Sequence, residues 1–269
     1  MNCKNCDTAL SKLINYCPIC GAKIVRKRLT LKNISADVTQ QFLNIDNKFL
    51  KTFTHLFTNP GHVINSFIDG TRKKYINVIQ YFAIALTLVG IQVFLMNTFF
   101  EEAFEIDYDF LKDIEKNPNQ KNNPFGDFDF KEFNNYQSLV YTLTVPLTTL
   151  GTWITYFILG IRRLNFTEHL VLNLYYSAQI IIITAISSIL FLCFGFDYLL
   201  ISTAISILTF GYLFYVLKSV FKTSFWETVI HFLVFCVMYA VVIFIVMILA
   251  ALIGFVYVLL NKEQFVNTV

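Results

Sequence analysis

The sequence predicts an all-α integral membrane protein with five transmembrane helices, and three observations lead there. Of 269 residues, 56% are hydrophobic and only 14% are charged, against about 25% charged in a typical soluble domain. The apolar residues gather in five runs of 20 or more: 76–100, 138–161, 170–194, 198–217 and 229–260. The charges are sorted by segment: residues 1–75 carry +8, residues 101–136 carry −6 and the remainder +1. A disordered chain is excluded, since such chains are polar and charge-rich. A mean hydropathy of +0.58 also excludes a single soluble domain, which needs more polar surface than this.

Residues 1–25 read as a zinc ribbon. Cys3-x2-Cys6 and Cys17-x2-Cys20 form two knuckles separated by ten residues, with the turn formers Asn5, Asp7, Pro18 and Gly21 around them. Zn2+ wants four soft ligands in a tetrahedron, and two CxxC turns supply Cys3, Cys6, Cys17 and Cys20. A closed site of this kind has no open position, so the expected role is structural and not catalytic. Disulfides do not suit a reducing cytoplasm. A redox dithiol pair needs an α/β domain that so short a segment cannot build. Met1 to Gly21 lacks the continuous apolar core of a signal peptide.

Residues 26–75 read as cytoplasmic interfacial helices. Ile34, Val38, Phe42, Ile45, Phe49, Phe53 and Leu56 recur every three or four residues, the period of one helix face. A break is expected at Asp46, and a stop at Asn59-Pro60-Gly61, where Pro60 can open the next helix. Val63, Ile64, Phe67 and Ile68 give that helix an apolar face, and Gly70 ends it. Such faces are expected among acyl chains, with basic residues at the headgroups. Arg72, Lys73, Lys74 and Tyr75, directly before the first run, are candidate contacts to headgroups or another ligand, as are Arg162 and Arg163.

The five runs are long enough to cross a roughly 30 Å hydrocarbon core as helices, the only open-ended structure lipid tolerates. The fifth run, at 32 residues, is too long for one upright span and too short for two, so it counts once. The loop holding Arg162, Arg163 and Glu168, and that holding Lys218, Lys222 and Glu227, belong with the basic segment. The acidic loop 101–136 and the turn at Asp197 belong opposite. The expected orientation is N-terminus cytoplasmic and C-terminus outside, with residues 261–269 as a tail. A nucleic-acid partner is not expected, because topology already accounts for the basic charge. The Asp127-Phe128-Asp129 stretch lacks the spacing of a calcium loop.

A shift of 59 residues aligns Ile161, Arg163, Asn165, Phe166 and Glu168 with Val220, Lys222, Ser224, Phe225 and Glu227. Asn165 and Ser224 are good N-caps, and Glu168 and Glu227 stand where a capping-box acid belongs. Two readings stay open: convergent cap chemistry, or a duplicated helical hairpin whose copies run in the same direction.

Several strings carry a resemblance: Cys3-Lys4-Asn5-Cys6, Tyr16-Cys17-Pro18-Ile19-Cys20-Gly21, Arg28 to Lys32, Leu56 to Gly61, Ile64, Gly70 to Tyr75 and Asn77. Over roughly residues 3–95 the chain resembles an uncharacterised bacterial membrane family with an N-terminal zinc ribbon and a Pro-Gly…Gly-Lys-Arg…Tyr signature, common in Bacteroidetes. Thr71 stands where that signature usually has Lys, and Val78 where Pro often follows Asn. The resemblance implies an inner-membrane location and no particular activity. The topology and the Phe-x-Glu strings at 166–168 and 225–227 also resemble the five-span Yip-type trafficking family, which implies an adaptor role.

No HExxH, Gly-x-Ser-x-Gly or phosphate-cradling loop occurs. No Asp, Glu, Lys or Arg sits mid-run, where ion-coupled pumps usually carry one. His55 and His62 straddle a Pro-Gly break and are not expected to share a metal. His169 is expected at the headgroups, and His231 beside Glu227. The leading expectation is a non-catalytic scaffold or adaptor whose ribbon contacts a protein partner or anionic lipid. The alternative is a transporter or channel for small molecules or lipids. A polar cavity lined by Gln92, Gln179 or Asn173 would favour the alternative.

Overall fold

A computed structural model describes residues 2–11, 14–22, 24, 48–100, 134–196 and 198–260. The expected helix over 34–47 with its break at Asp46, the bulk of the acidic loop (101–133) and the tail 261–269 lie outside the described residues. The chain divides into two compact units, Met1–Asn47 and Lys48–Val269. The first contains the two cysteine knuckles and one isolated antiparallel bridge, Asn2 to Ala9.

Among the described residues the second unit has helices and no strands. The helices among the described residues are α1 (48–58), α2 (Pro60–Ile68), α3 (Val78–Phe99), α4 (Gln137–Ile158), α5 (Phe166–Cys193), α6 (Tyr198–Phe221) and α7 (Phe225–Leu260). Only Asn59 separates α1 from α2, and its side chain accepts from the His62 amide while Pro60 opens α2, where a missing N–H costs nothing. Gly70, at φ +98°, closes α2: Thr71 N donates to Ser66 O at 2.8 Å and Gly70 N to Phe67 O at 3.2 Å. This paired pattern needs a left-handed residue just past the helix, and Gly takes that conformation without strain. Asn77 then caps α3, accepting from Ile79 N.

Four helices are long and apolar enough to cross a membrane: Val78–Phe99, Phe166–Cys193, Ile201–Phe221 and Phe225–Val256. The run at 138–161 becomes α4, a helix of 22 residues like α3, yet it does not join these four. Six threonines dilute it: Thr142, Thr144, Thr148, Thr149, Thr152 and Thr155. Each hydroxyl donates back to a carbonyl three or four residues earlier, so the helix meets its own polar demand. The fifth run is one unbroken helix, α7, of 36 residues. At 1.5 Å per residue it is about 54 Å long, and Gly254 does not interrupt it.

The central element is α5, which packs against α2, α3, α4 and α6, while α4 also packs against α7. Its twelve buried residues surround the helix, which explains why it lacks the one-sided pattern of a surface helix. The apolar faces of α1 and α2 depart from expectation. Leu56, Val63 and Ile64 are fully buried within the bundle's core, with Tyr81, Leu172, Val216 and Leu217. Protein, not acyl chain, covers them. The hydrophobic gain of about 25 cal/mol per Å2 is the same for either partner, but protein adds directional hydrogen bonds.

Candidate metal centre and polar sites of the bundle

The two knuckles repeat one geometry. Cys3 O accepts from Asp7 N and Cys17 O from Gly21 N, each at 2.9 Å; Cys3 N donates to Thr8 O and Cys17 N to Ala22 O, each at 2.9 Å. Asp7 and Gly21 take left-handed backbones, φ 56° and 70°, which Asp and Gly tolerate best. Each turn therefore points two sulfurs inward. All four Sγ atoms lie within 4.8 Å of one another, with Cys3 to Cys20 and Cys6 to Cys17 each at 3.6 Å. A tetrahedron of sulfurs about 2.3 Å from a central ion has edges of about 3.8 Å, so the donor set fits a four-thiolate metal site. Cys3 and Cys17 are buried beside Leu10. A hydrogen bond from the Asn5 side chain, then one from the Ala22 amide and the Cys6 thiol, lowers Cys20 to about 6. At Cys3 the Asn5 and Cys6 amides favour the thiolate, but burial and the neighbouring Cys20 and Cys6 thiols outweigh them, to about 11.

In the second unit, the signature residues build a seam that holds α1 and α2 to the spans. Gln179 donates to Phe53 O, Tyr212 to Leu56 O and Tyr215 to Thr58 O at 3.3, 3.1 and 2.7 Å. Leu56 and Thr58 carry carbonyls of the last turn of α1, which no amide within a helix reaches. Gly61 N donates to Ser219 Oγ at 2.9 Å and Asn65 to Val220 O at 3.2 Å. Thr52, fully buried, accepts from Ile76 N at 3.0 Å, and Tyr175 donates to Ile76 O at 2.8 Å. Tyr81 donates to Gln179 Oε1.

The candidate contact residues sit around this seam. Tyr75 is buried, and its hydroxyl meets His55 Nδ1 at 2.9 Å; burial pushes the phenol up. His62 packs on the same ring and its Nε2 meets Lys74 Nζ at 2.8 Å. The two histidines thus converge on the Tyr75 ring. Arg72 bonds Phe67 O and lies over the Phe67 ring. Arg163 donates to Val220 O at 2.9 Å, at the C-terminal end of α6 where a cation is favoured. Arg162 lies over Phe157, and Lys73 is exposed.

At the helix starts, Asn165 and Glu168 exchange hydrogen bonds of 2.9 and 2.8 Å. Ser224 and Glu227 do so at 3.3 and 2.8 Å. His169 does not reach headgroups: it is 1% exposed, beside Thr152 and Asn173. His231 is also buried and its Nδ1 has no hydrogen-bond partner; the Glu227 carboxylate accepts from the Ser224 amide and acts on the imidazole through its charge alone.

A cavity of about 280 Å3 lies between α3, α4, α5 and α6, lined among others by Gln92, Gln137, Tyr141, Thr184, Ser188 and Thr209. Gln179 and Asn173 do not line it. Of its polar lining Gln92 was legible in the sequence; the rest escaped, because isolated Ser and Thr residues in apolar runs carry no motif.

Residues 46–90 match a family described as "Protein of unknown function (DUF3667)". The match covers α1, α2, the Tyr75 segment and half of α3. No curated protein and no solved structure matches the chain.

Proposed function

We propose that the protein is a non-catalytic scaffold or adaptor of a bacterial inner membrane. Its Cys3, Cys6, Cys17, Cys20 centre holds a structural Zn2+, and its ribbon recruits a protein partner or anionic lipid. The observation that carries this reading is the four-thiol cluster within the first compact unit, Met1–Asn47. Beside that centre Tyr16 and Ile19 are 59% and 72% exposed. A metal that fills all four positions supplies folding energy in place of chemistry, and exposed large apolar side chains on so small a unit suit a contact surface. The test is affinity purification from membranes, with and without residues 1–25. A partner lost with the ribbon supports the reading; identical proteins and lipids in both samples refute it.

A second reading, transport or handling of a small polar molecule or lipid, is favoured by the cavity lined by Gln92. Ligand sites in bundles are concave, with a few placed polar groups between helices, as here. Ligand-dependent protection of the protein that is lost in Gln92→Leu would support it.

For topology we propose five spans, with α4 crossing despite its threonines, since back-bonded hydroxyls present little unpaired polarity to lipid. The N-terminus is then cytoplasmic and the C-terminus outside. A C-terminal reporter decides by parity: outside supports five spans, inside means four. The paired capping boxes of α5 and α7 support the duplicated hairpin.

A further inference from the structure

Beneath the capping boxes of α5 and α7 lies a polar cluster that none of these readings uses. Tyr156 and Thr152 come from α4, His169 and Asn173 from α5, and His231 from α7. Tyr156 stands at its centre. Its ring stacks on Phe221 at 3.7 Å and meets the rings of His169 at 5.7 Å and His231 at 5.3 Å. Thr152, Tyr156, His169 and Asn173 are at most 1% exposed and His231 is 9%.

The hydrogen bonds of Thr152 determine what the cluster lacks. Its hydroxyl reaches Thr149 O at 3.1 Å, and while it donates there it can only accept from its other neighbours. Asn173 Nδ2 donates to it at 2.9 Å, and also reaches His169 O at 2.9 Å. A flipped amide would set Asn173 Oδ1 against that carbonyl, so the orientation is determined. His169 Nδ1 lies 3.2 Å from the same hydroxyl; with that hydroxyl's single proton on Thr149 O, Nδ1 carries the ring proton. In the neutral ring Nε2 is then a bare acceptor.

Four buried polar atoms of the cluster have no protein partner: His169 Nε2, Asn173 Oδ1, Tyr156 Oη and His231 Nδ1. Two are acceptors only, and the phenol both donates and accepts. Burial of such atoms unpaired costs about 1–3 kcal/mol each, so four of them on side chains linked through Tyr156 and Thr152 call for an occupant. Glu168 and Glu227, the acids at the starts of α5 and α7, are both turned to backbone amides. The carboxylate that acts on the cluster, Glu227, is already held by the Ser224 amide, and two bare acceptors repel an anion.

We propose that Thr152, Tyr156, His169, Asn173 and His231 enclose an internal site for a small uncharged hydrogen-bond donor, water or the hydroxyl group of a bound molecule. His169 Nε2 and Asn173 Oδ1 accept from the occupant; Tyr156 and His231 complete its shell. Buried waters of this kind make about three hydrogen bonds. The site is independent of the ribbon and of the Gln92 cavity.

The test is solid-state NMR of full-length protein in proteoliposomes, with 15N-histidine labelling. There are only four histidines, and His169→Gln and His231→Gln assign the pair. The expected result is a neutral His169 with the proton on Nδ1, whose Nε2 is in contact with exchangeable protons. Contacts from water alone identify water; added contacts from non-exchangeable C–H protons identify a molecule's hydroxyl. An Nε2-protonated tautomer, a metal-shifted nitrogen, or an Nε2 without proton contact overturns the proposal. Asn173→Leu gives a second readout: an occupied site predicts a lowered melting temperature, and a raised one overturns the proposal, because apolar filling stabilises a merely unpaired cluster.

Discussion

The contact of Gly61 with α6 allows one perturbation to be worked through. A methyl group added at Gly61 would lie 2.5 Å from the carbonyl carbon of Ser219, 2.7 Å from its Oγ, and closer still to its carbonyl oxygen, whereas ordinary contact begins near 3.4 Å. Two of those atoms are backbone, so no side-chain rotation relieves the clash, and α2 must retreat by about 1 Å. Overpacking of this kind costs about 1–3 kcal/mol. The retreat also strains the Gly61 to Ser219 and Asn65 to Val220 bonds, each worth about 1 kcal/mol net. A total of about 3 kcal/mol is a roughly 100-fold shift in the docking equilibrium of α2. Amide hydrogen exchange read by mass spectrometry should show residues 60–68 of Gly61→Ala exchanging roughly 100-fold faster through local opening, with α4 unchanged. Ser219→Ala should not rescue the variant, since the carbonyl clash remains. Gly90→Ala is the control: nothing lies within 4 Å of its added methyl, so α3 should gain up to about 1 kcal/mol of helix propensity. Unaltered protection of 60–68 in Gly61→Ala would refute the close approach.

Other outcomes follow from the same geometry. Purified protein should hold one zinc equivalent by elemental analysis and Cys17→Ser none, because three thiolates no longer close the tetrahedron; a full equivalent in the mutant would remove the assignment. Tyr212→Phe should destabilise the unit by about 1 kcal/mol in thermal melts, leaving Leu56 O unpaired. Tyr215→Phe should cost less, since that ring is 36% exposed and water can replace its hydroxyl. Asn165→Ala should cost about 1 kcal/mol, and more than Ser224→Ala, whose cap bond is longer at 3.3 Å.

Whatever is local in this protein could be read from its residues. Helices form at all five apolar runs because about 20 apolar residues satisfy lipid and backbone together. The capping pairs Asn165/Glu168 and Ser224/Glu227 involve residues three apart, and each CxxC knuckle closes within five. Even the span count stayed ambiguous for a local reason, the threonines of α4. The tertiary structure decided everything that joins distant segments. Tyr212 and Tyr215 cap a helix some 156 residues away, and Gly61 needs its missing side chain because Ser219, 158 residues on, lies against it. His169, placed at the headgroups from its position beside Glu168, instead turns inward to Thr152 and Tyr156. Periodicity reports which residues are apolar; it does not report which helix covers them. A buried hydroxyl, amide or imidazole takes its meaning from the partner across the bundle, and in this chain those partners meet only when α5 is enclosed by its neighbours.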